Sequence, residues 1–193
     1  MTARDFDPAA IRDTNLERQK LRLATLCLAG DAESRKVANN LLRGQNGRAL
    51  TDKLLTNVTL LSMAIVNDFD IGAPYGGRDR FLVELVSTTG RQAVEQFEAL
   101  LDAGWPVDLV TEENGTSALM VAAERFTAAN RDRVMRLIQR GADPHLKDKE
   151  GHSALDRAPV AMRKYIHELL EKRAESGSPA DAAASHDGDE SGN

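Results

Sequence analysis

Residues 137–158 read LIQRGADPHLKDKEGHSALDRA, and their punctuation recurs upstream at a fixed distance. Gly151 opens GHSALDRA and Gly115 opens GTSALMVAA, 36 positions apart (151 − 115). Gly141 follows the apolar turn LIQR and Gly104 follows LLDA, 37 positions apart (141 − 104). A period in the thirties with matching stops and starts restricts the chain to a stacked array. One helix–loop–helix unit cannot cover its own apolar face, so neighbouring units must do so.

Each punctuation mark has a local cause. Gly104 and Gly141 stand where a helix ends and the backbone turns into the left-handed region, which glycine reaches without steric cost. Ser117 and Ser153 stand one residue before Ala118–Leu119 and Ala154–Leu155, where a hydroxyl can accept a hydrogen bond from a free helix amide. In RVMRLIQR, Val134, Leu137 and Ile138 follow the i, i+3, i+4 spacing of one buried helix face.

With these residues in place, the segment resembles the ankyrin repeat, whose pattern includes G-x-T-P-L-H-x-A-A and a helix pair closing on L-L-x-x-G-A-D. Ser153, Ala154 and Asp156 stand for Thr, Pro and His, while Leu155 and Ala158 match directly. In 161–174, AMRKYIHELLEKRA keeps Leu169–Leu170 in register and carries Arg173 in place of the closing glycine. The resemblance is clear over about 96–174 and divergent over about 15–95. There, 58–65 (VTLLSMAI) reads as a first helix and 23–44 as a terminal repeat with an Ala29–Asp31 turn.

The resemblance implies an all-α, ankyrin-like helical repeat solenoid with short hairpin-like loops between helix pairs. About four helix pairs are expected over 15–174, after an N-terminal arm at 1–14. An insertion is expected at 67–79, followed by an additional helix at 80–88 before the helix at 91–104. A smaller insertion, RFTAANRD, widens the turn of the third repeat.

Beyond position 174 the composition changes. Glu175, Asp181, Asp187, Asp189 and Glu190, with no Lys or Arg among them, account for the whole formal net charge of −5. Residues 175–193 are expected to form a disordered acidic tail, and the array itself is formally neutral. The N-terminus carries charges of both signs where a secretory leader would be apolar. No run approaches the roughly eighteen apolar residues of a membrane span, and Cys27 is the single cysteine. These features point to a cytoplasmic protein, and the excess of Arg over Lys to a bacterial one.

Catalysis is not expected, nor are a cofactor, a metal, a small-molecule substrate, nucleic acid or a membrane as partners. His145 and His152 lie seven apart (152 − 145) beside Asp148, a poor match to metal-ligand spacing. Cys27 is flanked by apolar residues, as a buried inert thiol would be. GAPYGGR lacks the Gly-Lys-Ser/Thr that completes a phosphate-binding loop. Acids and bases are mixed along the array, so no face reads as a phosphate-binding stripe.

What the resemblance implies instead is a monomer that binds a protein partner of unknown identity through loop tips and a concave face. Matched onto this sequence, the partner-binding positions are Glu112, Glu113, Asn114, Thr116, Met120, Glu124 and Arg125 in the third repeat. Lys149, Glu150 and His152, with Val160, are their counterparts in the fourth. Tyr75 and Trp105 are aromatic candidates for the same surface, of the residue type that anchors interfaces; for Tyr75 a core place is equally open, and for Trp105 it is the slightly favoured one. A scaffold, an immunity- or antitoxin-type inhibitor of a toxin, and an effector acting inside a host cell all fit such a module.

Overall fold

A computed structural model describes residues 8–175. The tail expected at 175–193 lies outside the described residues apart from Glu175. Of the expected N-terminal arm, only 8–14 are described, and they are helical. The order of elements is α1 (Pro8–Ala29), α2 (Ala32–Leu42), α3 (Gly47–Leu55), α4 (Val58–Val66), a 3-10 turn at Ala73–Tyr75, then α5 (Arg78–Ser87) and α6 (Arg91–Asp102). Next come α7 (Ala118–Ala123), α8 (Ala128–Gln139), α9 (Ala154–Arg157) and α10 (Val160–Glu175). Among the described residues, extended pairing is confined to two antiparallel bridges, Val110 with Ser117 and Lys147 with Ser153. The fold is the all-α helical array expected from the sequence.

Two rows of helices form the C-terminal half. α5 packs on α7 and α7 on α9, making an inner row; behind it α6 pairs with α5 and α8 with α7, and α8 packs on α10, whose Arg163 Nε donates to the Leu155 carbonyl of α9 at 3.1 Å. α1 packs against α2, α3 and α4, while α3 and α4 both lean on α6. The inner helix of the α6 pair is therefore α5, the segment expected as an additional helix, and not 58–65. Its buried stripe of Phe81, Leu82, Leu85 and Val86 is wide enough to serve both α6 and α7. α3, which the sequence reading did not place, buries Leu50, Thr51, Leu54 and Leu55. The segment expected as an insertion, 67–79, is packed inward, with Phe69 and Ile71 at 1% and 0% exposure and the Thr51 hydroxyl donating to the Ile71 carbonyl at 3.1 Å.

Local chemistry sets the helix ends. The Ser117 hydroxyl accepts from the Met120 amide at 3.3 Å, and the Ser153 hydroxyl accepts from the Asp156 amide at 3.2 Å. Asp156 returns the bond, its Oδ2 accepting from the Ser153 amide at 2.8 Å. Thr127 caps α8 in the same way through the Asn130 amide, at 3.2 Å. At the other end, terminal carbonyls need outside donors. Arg140 Nη1 donates to the Leu101 carbonyl of α6 at 2.6 Å, and Arg173 Nη1 to the Ile138 carbonyl of α8 at 3.3 Å. An arginine of each later repeat thus finishes the outer helix of the repeat before it.

The hairpin loops are fixed to one another as well. The Asp148 side chain is fully buried, and its Oδ1 accepts from the amides of Glu150 and His152 at 2.9 and 2.8 Å. Its Oδ2 accepts from Arg157 Nη2 at 2.5 Å, and Arg157 Nη1 reaches Glu124 at the end of α7 at 3.2 Å. Burial pushes the Asp148 carboxyl up. The His152 amide, the Arg157 guanidinium and the Glu150 amide outweigh that and hold it below the usual carboxylate range.

Two stability tests follow from these contacts. Gly141 has φ +96°, and a Cβ there would meet only Arg173 Nη2 at an ordinary 3.7 Å. Gly141→Val should therefore cost about 1–2 kcal/mol of left-handed backbone strain. Gly47→Ala should cost more, because its Cβ would lie 1.8 Å from the Leu42 carbonyl oxygen. Urea denaturation of both variants checks the order. For Asp148, a folded pKa below the unfolded one contributes stability above the unfolded value, and that stability is lost as pH falls through the folded value. Asp148→Asn should lower the melting temperature at neutral pH and flatten its decline on acidification, read by thermal melts from pH 7 to about 3.

Candidate functional site

The loop of residues 110–117 folds back on itself through the Thr111 amide, which donates to the Thr116 carbonyl at 3.0 Å. The next loop, 147–153, does the same through the Asp148 amide and the His152 carbonyl at 2.9 Å. The two tips then stack. The Lys149 amide donates to the Asn114 carbonyl at 3.0 Å, and Lys149 Nζ to the Glu112 carbonyl at 2.5 Å. Gly115 has φ +70°, and a Cβ there would approach the Lys149 nitrogen to 3.0 Å and Asp148 Cα to 3.3 Å. Glycine is required at that tip by both its conformation and the closeness of the next loop.

The first tip is also anchored backwards to α5. Asp79 Oδ2 accepts from the Glu112 amide at 2.9 Å, and Arg80 forms an ion pair with Glu113. Between α5 and this loop runs a groove of about 240 Å³, lined by Tyr75, Arg80, Val83 and Glu84 on one side and Thr111, Asn114 and Thr116 on the other. Tyr75, Asn114 and Thr116, far apart in sequence, thus line one groove, and Glu113 is tied to Arg80 of that lining. Glu112, Lys149, Glu150 and His152 are exposed on the stacked tips. Glu124 and Arg125 are exposed at the far, C-terminal end of α7.

Three candidates have structural duties that their sequence context hid. Met120 is 0% exposed, so it cannot lie under a partner. Its thioether instead accepts from the Ser117 amide at 3.4 Å, within the cap of α7. A six-residue helix packed by α5, α8 and α9 has little free face left for a long side chain. Trp105 is core: it is 3% exposed and edge-on to Phe81 at 5.6 Å, with the Arg78 guanidinium over its ring at 5.1 Å. Its Nε1 is buried without a hydrogen-bond partner.

Tyr75 is half-buried. Its ring lies 4.5 Å from that of Phe81, Arg48 sits over it at 4.7 Å, and its hydroxyl donates to Asp52 at 2.6 Å. Burial, followed by the Asp52 hydrogen bond, pushes its pKa to about 12, so it stays a neutral donor at any physiological pH. It forms a fixed edge of the groove.

Arg80, Val83 and Glu84 were not singled out in the sequence. They recur at i, i+3 and i+4 on one face of α5, and that spacing would have found them once α5 was given the inner position. Cys27 is 2% exposed, and burial raises its thiol to about 11, a protonated and unreactive state at neutral pH. Among the described residues, no three His, Cys, Asp or Glu side chains come together as metal ligands.

No protein-family model and no curated protein matches the chain. It is similar to the crystal structure of EF0377, an ankyrin repeat protein, at 20% identity, over 64% of this chain and 79% of that one, with a TM-score of 0.38. The helical-repeat assignment rests on the chain's own capping serines, bridged loops and stacked helix rows.

Proposed function

We propose that this chain is a non-catalytic module that binds a protein partner along the stacked loop tips and the groove beside α5. The observation that carries this reading is the mutual fixing of the two loops. The Asn114 carbonyl and Lys149 amide, the buried Asp148, and the Asp79 contact to Glu112 hold exposed side chains on an ordered backbone. Surfaces ordered before binding lose less conformational entropy on association. The tips offer Glu112, Glu113, Asn114, Glu150 and His152, and the groove adds Arg80, Glu84 and the edge of Tyr75. Charges of both signs lie together there, which favours register and selectivity over raw affinity. An inhibitor of one dedicated partner fits the same surface, since an irregular groove walled by an insertion recognises one shape. A scaffold and a host-directed effector use the same contacts with a different partner.

Charge reversal at Glu113 or Lys149 would disturb the loops themselves, because both are tied within the stack. Asn114 and Glu150 are the better probes: both side chains are exposed. A photo-crosslinking amino acid placed at Asn114 or Glu150 should capture one discrete protein in native-cell extract. The same group at Lys164, exposed on α10, should not. Equal capture from Lys164, or capture from Lys164 alone, would refute the loop-tip surface.

A further inference from the structure

At the opposite end of α7 from the loop tips lies a second pocket, of about 250 Å³, where the turn after α5 meets the turn into α8. Its most unusual occupant is Arg133. This side chain belongs to a residue only 7% exposed, yet among the described residues it has no carboxylate within ion-pair distance. Nη2 donates to the Thr88 carbonyl at 2.7 Å, and Nη1 reaches Asn130 Oδ1 only at 3.5 Å. Nε is buried with no partner at all. Taking a guanidinium out of water without a counter-charge is costly, and nearly buried arginines are ordinarily paired.

The rest of the pocket favours an anion. Arg125 contributes a second cation and is exposed. Thr89 and Asn130 offer polar side chains. Asn130 stands in the first turn of α8, a helix of 12 residues whose amino end carries partial positive charge. The one acid in the lining, Glu124, is already engaged by Arg157 at 3.2 Å. Val86 and Val121 supply an apolar wall, so the pocket is not shaped for a bare, fully hydrated ion.

We infer that this pocket binds an organic carboxylate on a short aliphatic stem, with the carboxylate on Arg133 and Arg125 and the stem against Val86 and Val121. Two sources carry that chemistry: the side chain of a glutamate in a polypeptide, and a free dicarboxylic acid. The inference does not depend on the loop-tip reading, because the two surfaces lie at opposite ends of α7.

The test is amide-resolved NMR titration of the full chain at constant ionic strength with glutarate, with the blocked tripeptide acetyl-Ala-Glu-Ala-amide, and with inorganic phosphate. Saturable shifts confined to Thr89, Asn130 and their neighbours are expected with glutarate, the tripeptide or both. Response to the tripeptide alone assigns the source to a polypeptide, and response to glutarate alone to a free acid. Arg133→Gln should weaken binding by about tenfold or more, as expected when a hydrogen bond to a charged group is lost. Because Arg133 also holds the Thr88 carbonyl, the surface variant Arg125→Gln gives a second reading; it should weaken binding without lowering the melting temperature. Lys164→Gln should change nothing. No saturable shift with either carboxylate, a response to phosphate alone, or undiminished binding by Arg125→Gln and a folded Arg133→Gln would overturn the assignment.

Discussion

α7 has six residues, of which Ala118, Leu119, Met120, Ala122 and Ala123 are buried. A helix of that length has no independent stability, since nucleation alone outweighs the few hydrogen bonds it closes. It exists because α5 and α9 cover its sides and α8 its back. Burying a side chain such as Leu119 contributes roughly 1.5–3 kcal/mol, and that gain is available only when the neighbouring repeat is folded. The array is therefore held together at its seams, and each repeat supplies what the next one lacks. Small residues such as Ala122, Ala123 and Ala154 let the inner helices approach, while large side chains such as Leu137 and Ile138 fill the space behind.

Polar contacts cross the same seams. Arg140 and Arg173 close the carboxyl ends of α6 and α8, and the Asp108 carboxylate accepts from the Asp143 amide at 3.0 Å. The buried Asp148 carboxylate, Arg157 and Glu124 bind loop, α9 and α7 into one unit. A buried acid with four donors around it specifies one loop conformation, because any other leaves those donors or the carboxylate unsatisfied. The exposed tips borrow that definition. Asn114 and Glu150 stay exposed there on a backbone that is already committed.

How much of this was legible in the sequence follows from the range of each interaction. Gly141 and Ser153 act through their own backbone angles and the next few amides, so their roles could be read from a dozen residues. The place of α5 could not. GGRDRFLVELV lacks the repeat's capping serine, starts from Gly77 with no side-chain cap, and is recognisable only by its packing on α7. Met120 looked like a surface residue because a helix of ordinary length would have had an open face there. Tyr75 was open to two readings because Asp52, 23 positions away, decides its orientation. Arg133 is an arginine beside the apolar stripe of α8, and nothing in RVMRLIQR tells that its head group turns inward beneath Thr88.

The inner helices shorten along the row, from ten residues in α5 to six in α7 and four in α9. At the ordinary rise per residue, these lengths are about 15, 9 and 6 Å. The outer helices behind them do not shorten; they have 12, 12 and 16 residues. The inner row is thus a wedge on a backing of undiminished width, broad beside residues 67–79 and narrow beside the last loop. A parallel-sided row would present the same width at both ends. A tapered row has a head and a tail, so its two ends differ in width and cannot be exchanged.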